Sequence, residues 1–234
     1  MASSVQTTTG GPAVKPHSAP KNHNQFIADP VSHFRSIPWC NTLMTDPAVL
    51  DTIIPDRQPL ASGESNFVRR VMNSGTTVRA CVTFFRMLKT PGGKGLAVDG
   101  LSKSAALLKG GSKADGEEAR NPFLLFNALL DLGEDMCGFK GTLHGGLFAV
   151  LMDEVMGTAA NFQAEHGAYT VQFNTMFRKA VKLPQVVLVR GRVVKKEGRK
   201  IFVRGSIEDK DGNLLGEGDG IWVQMGSDIG RSQL

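Results

Sequence analysis

From Leu147 to Phe162 the chain reads LFAVLMDEVMGTAANF, apolar around nearly the whole circumference of a helix and charged only at Asp153 and Glu154. A helix of that kind belongs inside a protein, and Gly145-Gly146 immediately before it marks its start. The pattern then changes period. Over 169–177, Tyr169, Val171 and Phe173 alternate with Thr170, Gln172 and Asn174, which predicts a strand with one apolar face. Further strands are predicted over 186–195, 200–208 and 214–225, joined at Gly198 and at Asp211-Gly212-Asn213 as successive hairpins of an antiparallel meander. Upstream, β-branched and aromatic runs predict strands over 76–88 and 122–130. One long central helix on a curved antiparallel sheet is an α+β layout.

The rest of the chain divides around that unit. Residues 1–25, rich in Ser, Thr, Pro and Gly, read as a disordered tail. Residues 26–75 read as a helical extension interrupted at Pro38 and Pro47, with Phe34, Ile37, Trp39, Leu43 and Leu50 as its anchors to the main domain. The main domain spans 76–226 and a short tail, 227–234, follows. Within it the Gly- and Lys-rich stretch 90–121 contains GGKG and KGGSK but no Walker pattern, so it reads as an inserted loop and not as a nucleotide cradle.

Composition narrows the picture. With 234 residues and 41% hydrophobic content the chain can bury one core with extensions. A formal net charge of +5 suits an anionic ligand, and with no nucleic-acid-reading motif a nucleic-acid partner is not expected. Cys40, Cys81 and Cys137 are odd in number and lack metal-ligand spacing, which reads as free thiols in a reducing compartment. The N-terminus has no apolar core for secretion and no Arg before Arg35 for a mitochondrial presequence, and no transmembrane segment is expected. A cytoplasmic location follows, with a mitochondrial one as the alternative.

A carboxylate buried without a partner costs several kcal/mol, so Asp153 is a candidate for chemistry. The Gly145 N–H at the helix start is a second candidate, since unpaired donors and the helix dipole there polarise a carbonyl. Eight residues separate the two, roughly 12 Å along a helix, so one reacting carbonyl cannot touch both within a single chain. The same helix of a second subunit, packed antiparallel by a two-fold axis, removes the difficulty and predicts a homodimer or a dimer of dimers. Glu154 lies about 100° further round the helix. Gly157, one turn after Asp153, is expected to leave space beside it. Arg178 and Lys179, directly after the Thr170 strand, are the best-placed pair for anionic groups, with Lys195, Lys196, Arg199 and Lys200 as a second cluster at a hairpin turn.

The stretch Gly141-Thr142-Leu143-His144-Gly145-Gly146, Asp153 nine residues after the histidine, the strand YTVQFNTMF, and Glu197-Gly198-Arg199-Lys200-x-Phe202-Val203 together resemble the hotdog-fold acyl-CoA thioesterases. The similarity covers roughly 76–225 and is closest to the subgroup with the phenylacetate-pathway enzymes and the mammalian thioesterase-superfamily members. It implies a hotdog fold, an antiparallel sheet wrapped around one long helix, and hydrolysis of a fatty acyl-CoA to free acid and CoA. No metal or redox cofactor is implied, coenzyme A being part of the substrate. Residue by residue it implies Asp153 as general base or nucleophile, the Gly145 N–H as oxyanion donor, and Gly146 beside it against the substrate. It further implies Thr170 as the group that orients water near the acid and His144 as a loop-positioning residue. Arg178 and Lys179 would then hold the CoA phosphates, and Gly157 would border the substrate. Phe148, Met152, Met156 and Phe162 would line an acyl tunnel or form ordinary core. Some relatives carry Asn or Gln six residues before the histidine, where this chain has Gly138. Asn127 substitutes for that donor only if the fold brings it near. Two other readings stay open: a hotdog hydratase or dehydratase, for which His166 is the only other histidine near the helix, and a non-catalytic acyl-CoA-binding module.

Overall fold

The computed structural model describes residues 23–87 and 124–226. The expected insertion 90–121, the tail 227–234 and nearly all of the tail 1–25 lie outside the described residues. Two short helices come first, α1 (Pro30–Arg35) and α2 (Pro38–Met44). Both start on proline, whose fixed φ and missing N–H suit the first helical position, and Asp29 caps α1 by accepting from the Ser32 N–H at 3.0 Å. Pro38 therefore opens a helix where an interruption was expected. The extension is also not wholly helical, because Val49–Ile53 forms a strand, β1, at the edge of the sheet.

The strands β2 (Val78–Met87), β3 (Leu124–Leu132), β6 (Ala168–Phe177), β7 (Gln185–Glu197), β8 (Lys200–Glu208) and β9 (Leu214–Gln224) complete a seven-stranded antiparallel sheet in the order β1-β2-β3-β7-β8-β9-β6. Between β3 and β6 come a small hairpin, β4 (Cys137–Phe139) with β5 (Thr142–Leu143), and the long helix α3 (Gly145–Asn161). The β7-β8-β9 meander turns at Gly198 and Gly212, both at positive φ, where a side chain would strain the turn. The helix lies on one face of the sheet, as the hotdog layout requires, and buries Phe148, Leu151, Met152, Val155, Met156, Ala159 and Ala160. Burial of a large apolar side chain is worth about 1.5–3 kcal/mol, so this contact dominates the core.

Glycines shape the seat of that helix. A Cβ on Gly216 would stand 2.4 Å from Phe148 Cζ, one on Gly205 2.6 Å from Met156 Sδ, and one on Gly218 3.2 Å from Met152 Cε. Phe148, Met152 and Met156 thus fill notches in β8 and β9 as core, and Phe148 also lines a cleft beside the helix start. Phe162 differs: it is 55% exposed and packs edge-on against Phe85 at 4.7 Å. With Phe126 and Ala159 it borders a cavity of about 230 Å³ at the far end of the helix.

The opposite face of the sheet is covered by the extension. Phe34, Cys40 and Met44 pack with Ala80, Val82, Phe84, Leu129 and Leu188 as a second apolar cluster, with Ile37, Trp39 and Leu43 at its margin. Leu50 is exposed and anchors nothing. Charges are buried on this face too. Asp131 is held by His33 at 2.8 Å and by Arg79, which ties α1 to β2 and β3. Arg190 pairs with Glu208 at 2.8 Å and donates to Asn127 Oδ1 at 2.9 Å. Asn127 is fully buried in that network. It therefore does not replace the donor missing at Gly138.

Candidate active site

The start of α3 is built by the residue before it. His144 is the helix N-cap, and its Nδ1 accepts from the Gly146 N–H at 2.9 Å. Its own N–H donates to the Met136 carbonyl at 2.9 Å, which fixes the loop that feeds the helix. The histidine thus uses its ring to hold backbone. The Gly146 N–H, expected to face substrate, is already taken by that cap. The Gly145 N–H has no partner among the described residues. Gly138 has its own reason to be glycine: a Cβ there would lie 3.0 Å from His144 Cδ2 and 3.1 Å from its Cα. An Asn or Gln at 138 would push the capping ring out of place.

Beside the helix start opens a cleft of about 310 Å³ floored by Leu143, Phe148 and Val181 and rimmed by Thr142, Phe177, Arg178 and Lys179. The Phe177 ring packs tilted against Phe148, 4.8 Å between centroids, and passes 3.6 Å from where a Gly145 Cβ would be. Both basic residues predicted from the sequence therefore sit at its mouth. Arg178 is paired with Glu217, Nε donating to Oε1 at 3.0 Å, and Lys179 donates to Asn213 Oδ1 at 3.1 Å. The second cluster lies at the other end of α3. There Lys196 donates to the Gln163 carbonyl at 2.7 Å and Arg199 to the Gln224 carbonyl at 2.8 Å, while Lys195 pairs with Glu197 at 2.5 Å.

Asp153 is half-buried halfway along α3, and Thr170 Oγ1 donates to its Oδ1 at 2.9 Å. Burial pushes this carboxyl above the ordinary carboxylate value, and the Thr170 hydrogen bond pulls it partly back. Glu154 is exposed on the single chain. Its carboxyl is raised by the protein atoms crowding it and by Asp153, and lowered by Arg57. Thus the apolar helix is not enclosed on all sides, as its composition predicted: the side carrying Gly146, Glu154 and Asn161 is open, and Gly145 is exposed at the helix end.

The strand that delivers Thr170 is less regular than its alternation suggested. In the β6–β9 ladder Thr170 pairs with Trp222 and Gln172 with Ile221, leaving Val171 as a bulge. Beyond the bulge, Phe173 pairs with Gly220, Thr175 with Gly218 and Phe177 with Gly216. Trp222 and those glycines face the helix, so Thr170, Phe173, Thr175 and Phe177 share the helix side. Tyr169 and Val171 are each 59% exposed, which corrects the predicted apolar face. Gly157 also differs from expectation. A Cβ there would be 3.2 Å from Trp222 Nε1, so the indole occupies the space that the glycine was expected to leave. Sequence reasoning missed Trp222; the signal for it was an aromatic residue alternating with Gly216, Gly218 and Gly220 on one strand. Among the described residues no group of three His, Cys, Asp or Glu is placed to hold a metal ion.

Residues 140–215 match the model of the thioesterase superfamily. The chain is 35% identical over 88 residues to the mouse acyl-coenzyme A thioesterase THEM4, covering 38% of this chain and 37% of that protein. It is 35% identical over 91 residues to a putative esterase of Sulfurisphaera tokodaii, covering 38% of this chain and 66% of that protein. The chain thus spans between about two fifths and two thirds of the length of these relatives. The solved structure of mouse thioesterase superfamily member2 is similar at 22% identity and a TM-score of 0.40, over 43% of this chain and 75% of that one.

Proposed function

We propose that the protein hydrolyses an acyl-CoA thioester to free acid and CoA, because residues 140–215, the segment carrying the His144 cap, Asp153 and Thr170, match the model of the thioesterase superfamily. The observation that carries this reading is the Asp153–Thr170 pair: a half-buried carboxylate, raised by burial and held at one oxygen by a hydroxyl. Such a group is poised to accept a proton or to attack. A water adding to the thioester carbonyl loses its proton to Asp153, the C–S bond breaks, and the proton passes to the departing CoA thiolate. Direct attack by Asp153 expels the CoA thiolate and gives a mixed anhydride; water then opens it to the free acid and the Asp153 carboxylate, and the proton released neutralises the thiolate. Either route needs the ionised carboxylate, and neither calls on a cofactor.

The carbonyl oxygen needs donors, and the Gly145 N–H at the helix start meets that need. It stands roughly 12 Å from Asp153 along the helix axis. The working unit is therefore a homodimer in which Gly145 of one protomer and Asp153 of the other share a site. The open side of α3 and the edge strand β6, with Tyr169, Val171 and Met176 exposed, give a second copy an apolar surface to cover. In an antiparallel arrangement the Lys196–Arg199 end of one helix approaches the helix start of the other. Arg178 and Lys179 at the cleft mouth hold the phosphates of CoA by charge-assisted hydrogen bonds. Free thiols at Cys40, Cys81 and Cys137 favour a reducing compartment such as the cytosol, and no helix among the described residues is long and apolar enough to cross a membrane.

The test is a panel of acyl-CoA esters assayed for free-thiol release by wild-type protein and by Asp153→Asn. Release by wild type that falls at least about 100-fold in the variant, with Glu154→Gln much less affected, is the expected outcome. Equal turnover by Asp153→Asn, or no release from any ester by wild type, contradicts the reading. The second result leaves acyl-CoA binding without turnover.

A further inference from the structure

Trp222 lies on β9 directly across the ladder from Thr170 and is 1% exposed. An indole ring offers one N–H donor and no acceptor, and when buried that donor ordinarily finds a partner. No protein acceptor takes it among the described residues, and it is not one of the fully buried polar atoms left without a partner, so a water can reach it. The ring's aromatic neighbour is Phe173, at 6.2 Å between centroids. The Nε1 atom faces α3 at Gly157, 3.2 Å from where a Cβ would be.

That position has a direction. Helical side chains lean toward the N-terminus and cover the preceding turn, so a side chain at 157 would lie over Asp153, which is one turn earlier and about 40° round the helix. Glycine leaves that space to the edge of the indole. A second glycine, Gly220, lets the ring lie along β9, since a Cβ there would stand 2.7 Å from Trp222 Cζ3. Meanwhile Thr170 takes Oδ1 of Asp153, and no side chain among the described residues takes Oδ2.

The geometry points to Trp222 as a positioning residue of the Asp153 site, its Nε1–H holding Oδ2 of Asp153 through one water. Thr170 and Trp222, opposite each other on adjacent strands, then fix both carboxylate oxygens, and Gly157 is present so that the indole can reach. The inference rests on Asp153 as the reactive carboxylate. The charged group next to it is Glu154 on the same helix, on which Arg57 also acts. The facing strands add Thr170, Phe173, Trp222 and glycines, none of which titrates in the range used.

Trp39 is the only other tryptophan, so Trp39→Phe gives a full-length protein whose emission reports Trp222 alone. Its emission maximum should shift as pH falls through the titration of Asp153, the same shift should persist with Glu154→Gln, and Asp153→Asn should abolish it. Emission that is flat with pH, or an unaltered shift in Asp153→Asn, overturns the assignment whether or not any thioester is hydrolysed. In an active protein, Trp222→Phe should lower kcat about tenfold with KM within about twofold and move the acid limb of the pH profile upward, because a donor to the carboxylate is lost. An unchanged kcat and acid limb in folded Trp222→Phe also overturns it. Failure of wild type to hydrolyse any thioester instead counts against the reaction, and the fluorescence arm still decides the role of Trp222.

Discussion

A single carboxylate sets the chemistry and also a cost to the fold. Burial raises the Asp153 carboxyl above its unfolded value, so over the window between those two values the native state binds more protons than the unfolded chain. Stability contributed by this group therefore falls as pH rises through that window, and the penalty is complete above the folded value. Asp153→Asn removes it. The variant should melt at a higher temperature than wild type at pH 7, and the gain should disappear once the pH is below the ordinary Asp value near 3.8. Thermal melts of both proteins at the two pH values check this. A variant that melts lower than wild type at pH 7 contradicts a strained, functional carboxylate and makes Asp153 a structural partner of Thr170. The sequence made Asp153 legible because an acid in an apolar helix is conspicuous. Trp222 was not, and His144 was expected only as a loop-positioning residue and not as the helix cap, since both details depend on which backbone or side-chain atom a ring faces.

At the scale of elements, the long helix and the β7-β8-β9 meander follow from local pattern, because a 3.6-residue apolar run, period-two strands and Gly-containing turns each report on their own neighbourhood. What escaped were features decided by contact between elements. The Val171 bulge depends on how β6 registers against β9. β1 depends on an open edge of β2. The role of Gly157 depends on an indole reaching across from β9. The glycine series on β9 makes the same point energetically. Gly216→Val places a Cβ against the Phe148 ring, which already packs against Phe177 beside Gly145. Overpacking of this kind costs roughly 1–3 kcal/mol, and denaturant unfolding should register that loss. The displaced Phe148 should also reduce turnover by disturbing the cleft floor. A Gly216→Val protein with unchanged stability would mean that the notch is not filled as described.

At the scale of the whole molecule, α1 and α2 cover one face of the sheet and α3 the other, so the remaining open surfaces are the flank of α3 and the edge strand β6. Asp153 and Thr170 border that flank, and Gly145 stands at the end of the helix. The central claim is that one site takes its acid from one protomer and its oxyanion donor from the other. Mixing Asp153→Asn with Gly145→Leu under conditions of verified subunit exchange tests it directly. Each variant alone should be inactive, while half of the dimers in a random equimolar mixture are hybrids with one intact site of two, so about a quarter of wild-type acyl-CoA hydrolysis should return. If subunits exchange and no activity returns, Gly145 and Asp153 do not meet across a two-fold axis, and the shared site is wrong.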